Sequence, residues 1–282
     1  MTLILGVHGV WNHAAGHSPQ EVARARAATW AKHLSEGIGH DLTTKDVAYA
    51  YYAQHLRREL PVAQGADDEL LDHLTQDEIE LVTHWLEALN LPQATSQGRL
   101  AVPLRQAATV LARHFSLDGR LTRAFIAMCF REVAAYLRGD GADAPSRGAA
   151  REEVAAAIAA HTPRVVIAHS LGTVVTYEAL HAHPELNVEL LLTLGSPLAL
   201  PHGVFHRLVP APVNGAGSRP HGVARWVNIA DHGDPIAVLR PLKHYFHDVD
   251  LDLNESIGAF DFHRAAGYLR SPAVAATLAP ML

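Results

Sequence analysis

The chain has 282 residues, of which 49% are apolar and 18% charged, and its formal net charge is −6. That balance suits a packed globular protein and excludes a disordered one, and the negative sign offers no global attraction to nucleic acid or to an acidic membrane surface. A single cysteine, Cys129, rules out an internal disulfide framework and a four-cysteine zinc site.

In chain order, residues 2–7 (TLILGV) form a short apolar run that stops at His8 and Gly9, as a buried strand does. The opening lacks the basic segment and apolar length of a secretory leader, and no run reaches the roughly 18 apolar residues of a membrane span. The expectation is a cytoplasmic chain with no transmembrane segment. Residues 46–53 (DVAYAYYA) make a second strand candidate. From 54 to 149 the strand pattern gives way to helices. Thr75 to Glu78 (TQDE) reads as a capping box, followed by Leu81, Val82, Trp85 and Leu89 at helical spacing. Pro103 can open a second helix carrying Leu104, Ala108, Leu111 and Phe115 on one face. A third runs from about Gly119 to Arg138 with Leu121, Phe125, Met128, Val133 and Tyr136, and Cys129 within it is expected as a packed core thiol.

Residues 67–90 hold eight acidic side chains and no Lys or Arg, whereas 99–138 hold seven arginines and two acids. Either these are two solvated faces or the helices pair across their charge. Residues 138–148 (RGDGADAPSRG) read as a joint that returns the chain to the core, at an alanine-rich helix over 149–160. Further strands follow at 164–168, 188–194 and 224–230. The period-two run YFHDVDLDL, 245–253, reads as a strand nearer an edge. Helical patterns between most strands argue for parallel pairing through right-handed crossovers. The expected organisation is an α/β core from 1–53 and 150–282, interrupted by a helical insert over 54–149.

The stretch RVVIAHSLGTVVTYEAL, 164–180, runs a strand directly into a helix through Ser170. A serine hydroxyl attacks poorly unless a base takes its proton and its oxygen is exposed. A sharp strand-to-helix turn supplies the exposure, and its crowding demands small residues two positions to either side, here Ala168 and Gly172. The helix N-terminus then aims backbone N–H groups at a developing oxyanion. This is a nucleophile elbow with alanine in its first position. His169, adjacent to Ser170, points away on such a turn and reads as buried support.

Chain order locates the other parts. A second oxyanion donor belongs after an earlier strand, where GVHGVWNHA (6–14) offers the N–H of Val10, to act beside that of Leu171. The acid belongs after a later strand, where RWVNIADHGDPIAVL (225–239) offers Asp231 and Asp234; Asp234 is favoured because its Gly-Asp-Pro turn projects the side chain from a loop. The base comes last, at His263 in GAFDFHRAAGYL, with His244 and His247 as fallbacks.

With these residues assembled, the sequence resembles the α/β-hydrolases, closest to lipase- and esterase-like members. The matches are His8-Gly9-Val10, the Ser170 elbow, LTLGSPL at 192–198, and Asp234-Pro-Ile with His263. The resemblance implies a mostly parallel sheet of about six strands with Ser170 as nucleophile, Asp234 as orienting acid and His263 as base. It also implies a smaller sheet than usual, without the customary first two antiparallel strands. Hydrolysis of an ester-type acyl bond of a small or lipid-like molecule, with no cofactor, is the implied activity. An amidase, peptidase, thioesterase or acyltransferase using the same groups is the alternative, and a catalytically silent binding protein the reading from another class. The insert matches nothing in the resemblance; its aromatic residues suggest that 67–138 roofs Ser170. Ser196 reads as a turn residue. His13/His17 and His202/His206 have helical metal-ligand spacing but lack the glutamate of a zinc-protease helix, and no phosphate-binding loop is present.

Overall fold

The computed structural model describes residues 2–56, 74–89, 119–138, 146–237, 241–257 and 263–282, with the side chains of 119–125 excepted. Six strands form one sheet: β1 (Ile4–Val7), β2 (Val47–Ala50), β3 (Val165–His169), β4 (Val188–Leu194), β5 (Val223–Asp231) and β6 (Leu251–Glu255), in the order β2-β1-β3-β4-β5-β6. Every neighbouring pair is parallel, so the expected α/β class and strand number hold.

Among the described residues seven helices flank the sheet: α1 (Pro19–Ile38), α2 (Gln76–Ala88), α3 (Gly119–Leu137), α4 (Ser146–His161), α5 (Leu171–Ala182), α6 (Ala265–Leu269) and α7 (Pro272–Leu278). Both sheet faces are covered, which is why the strands read as apolar runs. Ile4, Val165, Ile167, Leu192 and Ile229 face α1, α6 and α7. Leu5, Val7, Val166, Leu191 and Trp226 face the other layer, built from α2 to α5. On the α1 face β1 carries Gly6, where a Cβ would stand 2.6 Å from the Trp30 ring. The missing side chain lets the indole lie on the strand.

Three expectations are corrected at their ends. The second strand stops at Ala50, not Ala53, because the N–H of Tyr52 leaves the ladder and donates to His8 Nε2 at 3.1 Å. The last strand begins at Leu251, not Tyr245. Ahead of it His247 N–H bonds Gly217, Asp248 takes φ 66°, and the Asp250 carboxylate accepts from Trp226 N–H at 2.7 Å. The strand does lie at the edge of the sheet. The alanine-rich helix starts at Ser146, inside the stretch read as a joint; residues 139–145 of that joint lie outside the described residues.

Within the insert, α2 and α3 match the two helices expected around Leu81 and Met128, and the helix expected after Pro103 lies outside the described residues. The capping box appears as Glu78 accepting from Thr75 N–H at 2.8 Å. Charge pairing and solvated faces both occur. Arg138 lies 3.7 Å from Asp77 and 3.6 Å from Glu78, while Glu80 and Glu87 face solvent. Cys129 is buried as expected, although Met128 beside it is 37% exposed.

One buried carboxylate holds the insert to the core. Glu178 of α5 accepts from Tyr136 of α3 at 2.7 Å, from Arg147 Nε of α4 at 2.9 Å and again from Arg147 Nη2, and from Val209 N–H at 3.0 Å. Removing one partner of a buried ion pair leaves an uncompensated charge. Arg147→Ala is therefore expected to cost about 3–5 kcal/mol of unfolding free energy, measured by urea denaturation at neutral pH.

Candidate active site

The carboxyl ends of β1 and β3 diverge at the point where the chain, having run outward to β2, returns across β1 to build the rest of the sheet. Such a switch point opens a crevice. Ser170 lies there with φ 54° and ψ −129°, a conformation costly for a residue with a Cβ, and is buried at 1% exposure where the turn alone predicted an exposed oxygen. The turn is held by Ser170 N–H donating to Leu194 at 3.0 Å and by the Thr173 hydroxyl donating to the Ser170 carbonyl at 2.7 Å. Gly172 has no room for a side chain: a Cβ would lie 2.2 Å from the His8 carbonyl oxygen. Gly9, across the crevice, would place a Cβ 2.5 Å from that of Ser170.

The structure brings Ser170, His263 and Asp234 together. Ser170 Oγ is 2.8 Å from His263 Nε2, and His263 Nδ1 is 2.9 and 2.8 Å from the two Asp234 oxygens. The carboxylate on Nδ1 requires its hydrogen there, which leaves Nε2 to accept from the serine hydroxyl. Asp234 is buried and also accepts from Ile236 N–H at 2.8 Å and from Tyr268 Oη at 2.7 Å. Burial alone pushes its carboxyl up, but the His263 charge and these hydrogen bonds outweigh burial and hold it below its ordinary value. Asp231 is engaged elsewhere. It accepts from Gly233 N–H and, at 2.5 Å, from Ile257 N–H, pinning the turn that presents Asp234.

The remaining candidates fall away from the serine. His244 and His247 are exposed in the turn before β6. Ser196 shares a 2.8 Å hydrogen bond with Thr173 and accepts from Leu198 N–H, a turn role. His169 is buried beside His263, with ring centroids 4.9 Å apart. Burial, helped by the charge of His263, pushes its imidazole down to about 3, so it stays neutral. The stacked His202 and His206 are joined by His202 N–H donating to His206 Nδ1. Among the described residues no three His, Cys, Asp or Glu side chains gather as metal ligands.

The N–H groups of Val10 and Leu171, the expected oxyanion donors, donate to no protein acceptor among the described residues. The Gly9–Val10 peptide is held from behind: its carbonyl accepts from His8 Nδ1 at 2.7 Å and from Asn12 Nδ2 at 3.2 Å. Because N–H and C=O point oppositely across a trans peptide, anchoring the oxygen aims the Val10 N–H the other way. His8 Nε2 accepts from Tyr52 N–H, so the hydrogen must sit on Nδ1. Burial pushes this imidazole down to about 3 and keeps the neutral tautomer.

Comparison with family models, curated proteins and solved structures returns no match of any kind. The reading of the site therefore rests on its own geometry.

Two residues with no signal in the sequence complete it. Tyr268 donates to Asp234 and accepts from Asp231 N–H at 2.9 Å, bridging both aspartates, and burial with the Asp234 charge pushes its phenol up so that it remains a donor. Gly195, with φ 54°, passes beneath the dyad, where a Cβ would stand 2.6 Å from Asp234 Oδ2. The insert reaches both sides of the crevice. Trp85 Nε1 donates to the Pro235 carbonyl at 2.5 Å, and Glu132 of α3 accepts from Trp11 N–H at 3.1 and 3.2 Å.

Glu132 carries a pH consequence. Burial raises its carboxyl from 4.5 to about 7, against the opposing Trp11 hydrogen bond. Between those values the folded protein keeps a proton that the unfolded chain has released, so this group lowers stability as pH rises through the window. Glutamine still accepts from Trp11 but does not ionise. Glu132→Gln should have a higher melting temperature than the parent at pH 8, with the gap closing as pH falls to 5.

Proposed function

We propose that the chain is a serine hydrolase of the α/β-hydrolase type that cleaves an ester-type acyl bond through an acyl-enzyme on Ser170. The observation that carries this reading is the continuous hydrogen-bonded line from Ser170 Oγ through the His263 ring to the buried Asp234, starting at a serine held at positive φ. Ser170 Oγ attacks the carbonyl carbon as its proton passes to His263 Nε2. The carbonyl oxygen becomes an oxyanion facing the N–H groups of Val10 and Leu171. His263 then gives the proton to the leaving oxygen, and the C–O bond breaks. Water, deprotonated by the same imidazole, attacks the acyl-enzyme and regenerates Ser170. Every step uses side chains and N–H groups of this chain, without a cofactor.

The acyl side of the substrate is apolar in this reading. The oxyanion loop presents Trp11 at 42% exposure, and Met128 stands one helical turn from Glu132, which grips that loop. Three aromatic residues that suggested a roof, Trp85, Phe130 and Tyr136, are spent in the core, with Trp85 and Phe130 in ring contact at 5.1 Å. Phe115 and the side chain of Phe125 lie outside the described residues. An amide or thioester substrate would use the same groups; nothing in the geometry favours it.

Two measurements test the reading. A fluorophosphonate probe should label the parent and not Ser170→Ala, and that variant should lose on the order of a million-fold in kcat toward p-nitrophenyl esters while keeping its melting temperature. Turnover within tenfold of the parent rejects the nucleophile. The two aspartates separate cleanly as well. Asp234→Asn should cost about four orders of magnitude in kcat, whereas Asp231→Asn should act mainly through stability; the opposite ranking rejects Asp234 as the acid.

A further inference from the structure

Behind the oxyanion loop, between the loop and α1, lies a cavity of about 160 Å³ that Ser170 does not line. Gly9 and Asn12 form one wall, Arg26, Trp30 and His33 of α1 another, and Tyr49 of β2 its floor. Arg26 is the arginine whose side chain borders this cavity. Arg147, Arg164, Arg219 and Arg270 each grip a carboxylate. Arg26 is half-buried, yet among the described residues its side chain makes no ion pair and no hydrogen bond. A half-buried guanidinium with no protein partner keeps its fork of N–H donors open to an anion. His33 also lines the cavity, its Nδ1 lying 2.9 Å from Arg270 Nη2 and 3.5 Å from Glu36 Oε2.

The rest of the lining is not built for a hydrated inorganic ion. Trp30, Tyr49, Ala265 and Ala266 give the cavity aromatic and methyl walls, with Thr29 and the neutral rings of His8 and His169 completing it. A cavity of about 150 Å³ holds a molecule the size of benzene, so the space suits about six non-hydrogen atoms. We propose that this cavity is a binding site for a short-chain carboxylate of two to five carbons or so, its carboxylate on the Arg26 fork and its alkyl end against Trp30 and Tyr49. The site is separate from the proposed acyl chemistry and stands whether or not Ser170 is a nucleophile. It borders that chemistry through Gly9 and His169, and through Asn12, whose amide bonds the Gly9 and Val10 carbonyls and also lines the cavity.

Isothermal titration of the whole protein with butyrate, acetate and inorganic phosphate tests the assignment, in the parent and in Ser170→Ala. Butyrate should bind both proteins one to one with equal affinity, which separates this cavity from the serine. Arg26→Gln should weaken butyrate about tenfold or more, Arg26→Lys by less, and Arg24→Gln, an exposed neighbour on the same helix, not at all. Absence of butyrate binding to the parent overturns the proposal. So does binding that Arg26→Gln leaves unchanged, binding lost in Ser170→Ala, or phosphate binding more tightly than butyrate.

Discussion

Everything at the carboxyl edge of the sheet depends on how closely two pieces of backbone approach: the turn after β1 and the first turn of α5. The constraint is steric and rests on glycines. A methyl group at Gly172 would fall 2.2 Å from the His8 oxygen, and one at Gly9 would fall 2.5 Å from the Ser170 Cβ. Only without side chains at these two positions can the turn carrying Val10 and the start of the helix carrying Leu171 come this close together. The strand order makes the approach possible, since β1 and β3 are neighbours although more than 150 residues separate them in the chain.

Around that contact three imidazoles lie close together and do different work. His8 and His169 are buried where ionisation is strongly opposed, and both remain neutral. His263 alone faces a carboxylate on one nitrogen and a hydroxyl on the other. In the proposed reaction the Ser170 proton thus has one destination, and the other two rings act as a spacer and a brace. This division follows the general rule that environments, not residue types, assign acid–base roles.

Much of this was legible in the sequence because the signals were local. A strand running into a helix through Ala-His-Ser-Leu-Gly, a Gly-Asp-Pro turn after a later strand, and a histidine after the last one each announce themselves within a few residues. The features that escaped are those in which a side chain answers a group far away in the chain. Nothing near Tyr268 tells that its hydroxyl spans Asp231 and Asp234, and nothing near His8 tells that its ring ends β2 by taking the Tyr52 N–H. The run at 245–253 misled for a related reason. Its alternation is genuine, but Phe246 packs on Tyr177, Phe205 and Trp226 from a turn, which period-two spacing cannot distinguish from a strand. The buried aromatics of the insert were likewise visible as aromatic, while their direction depended on where Glu178 and Pro235 would lie.

The two hydrogen bonds from the insert reach loops that belong to opposite halves of the sheet. Trp85 grips the turn after β5, and Glu132 grips the turn after β1. Mechanically the insert is a bridge between the proposed acid and the proposed oxyanion donor, in addition to the contacts that run through Ser170 and His263. Subglobal opening of α2 and α3 would free both loops in one event. The alignment of the site is thereby tied to the local stability of a segment that supplies none of its reacting groups.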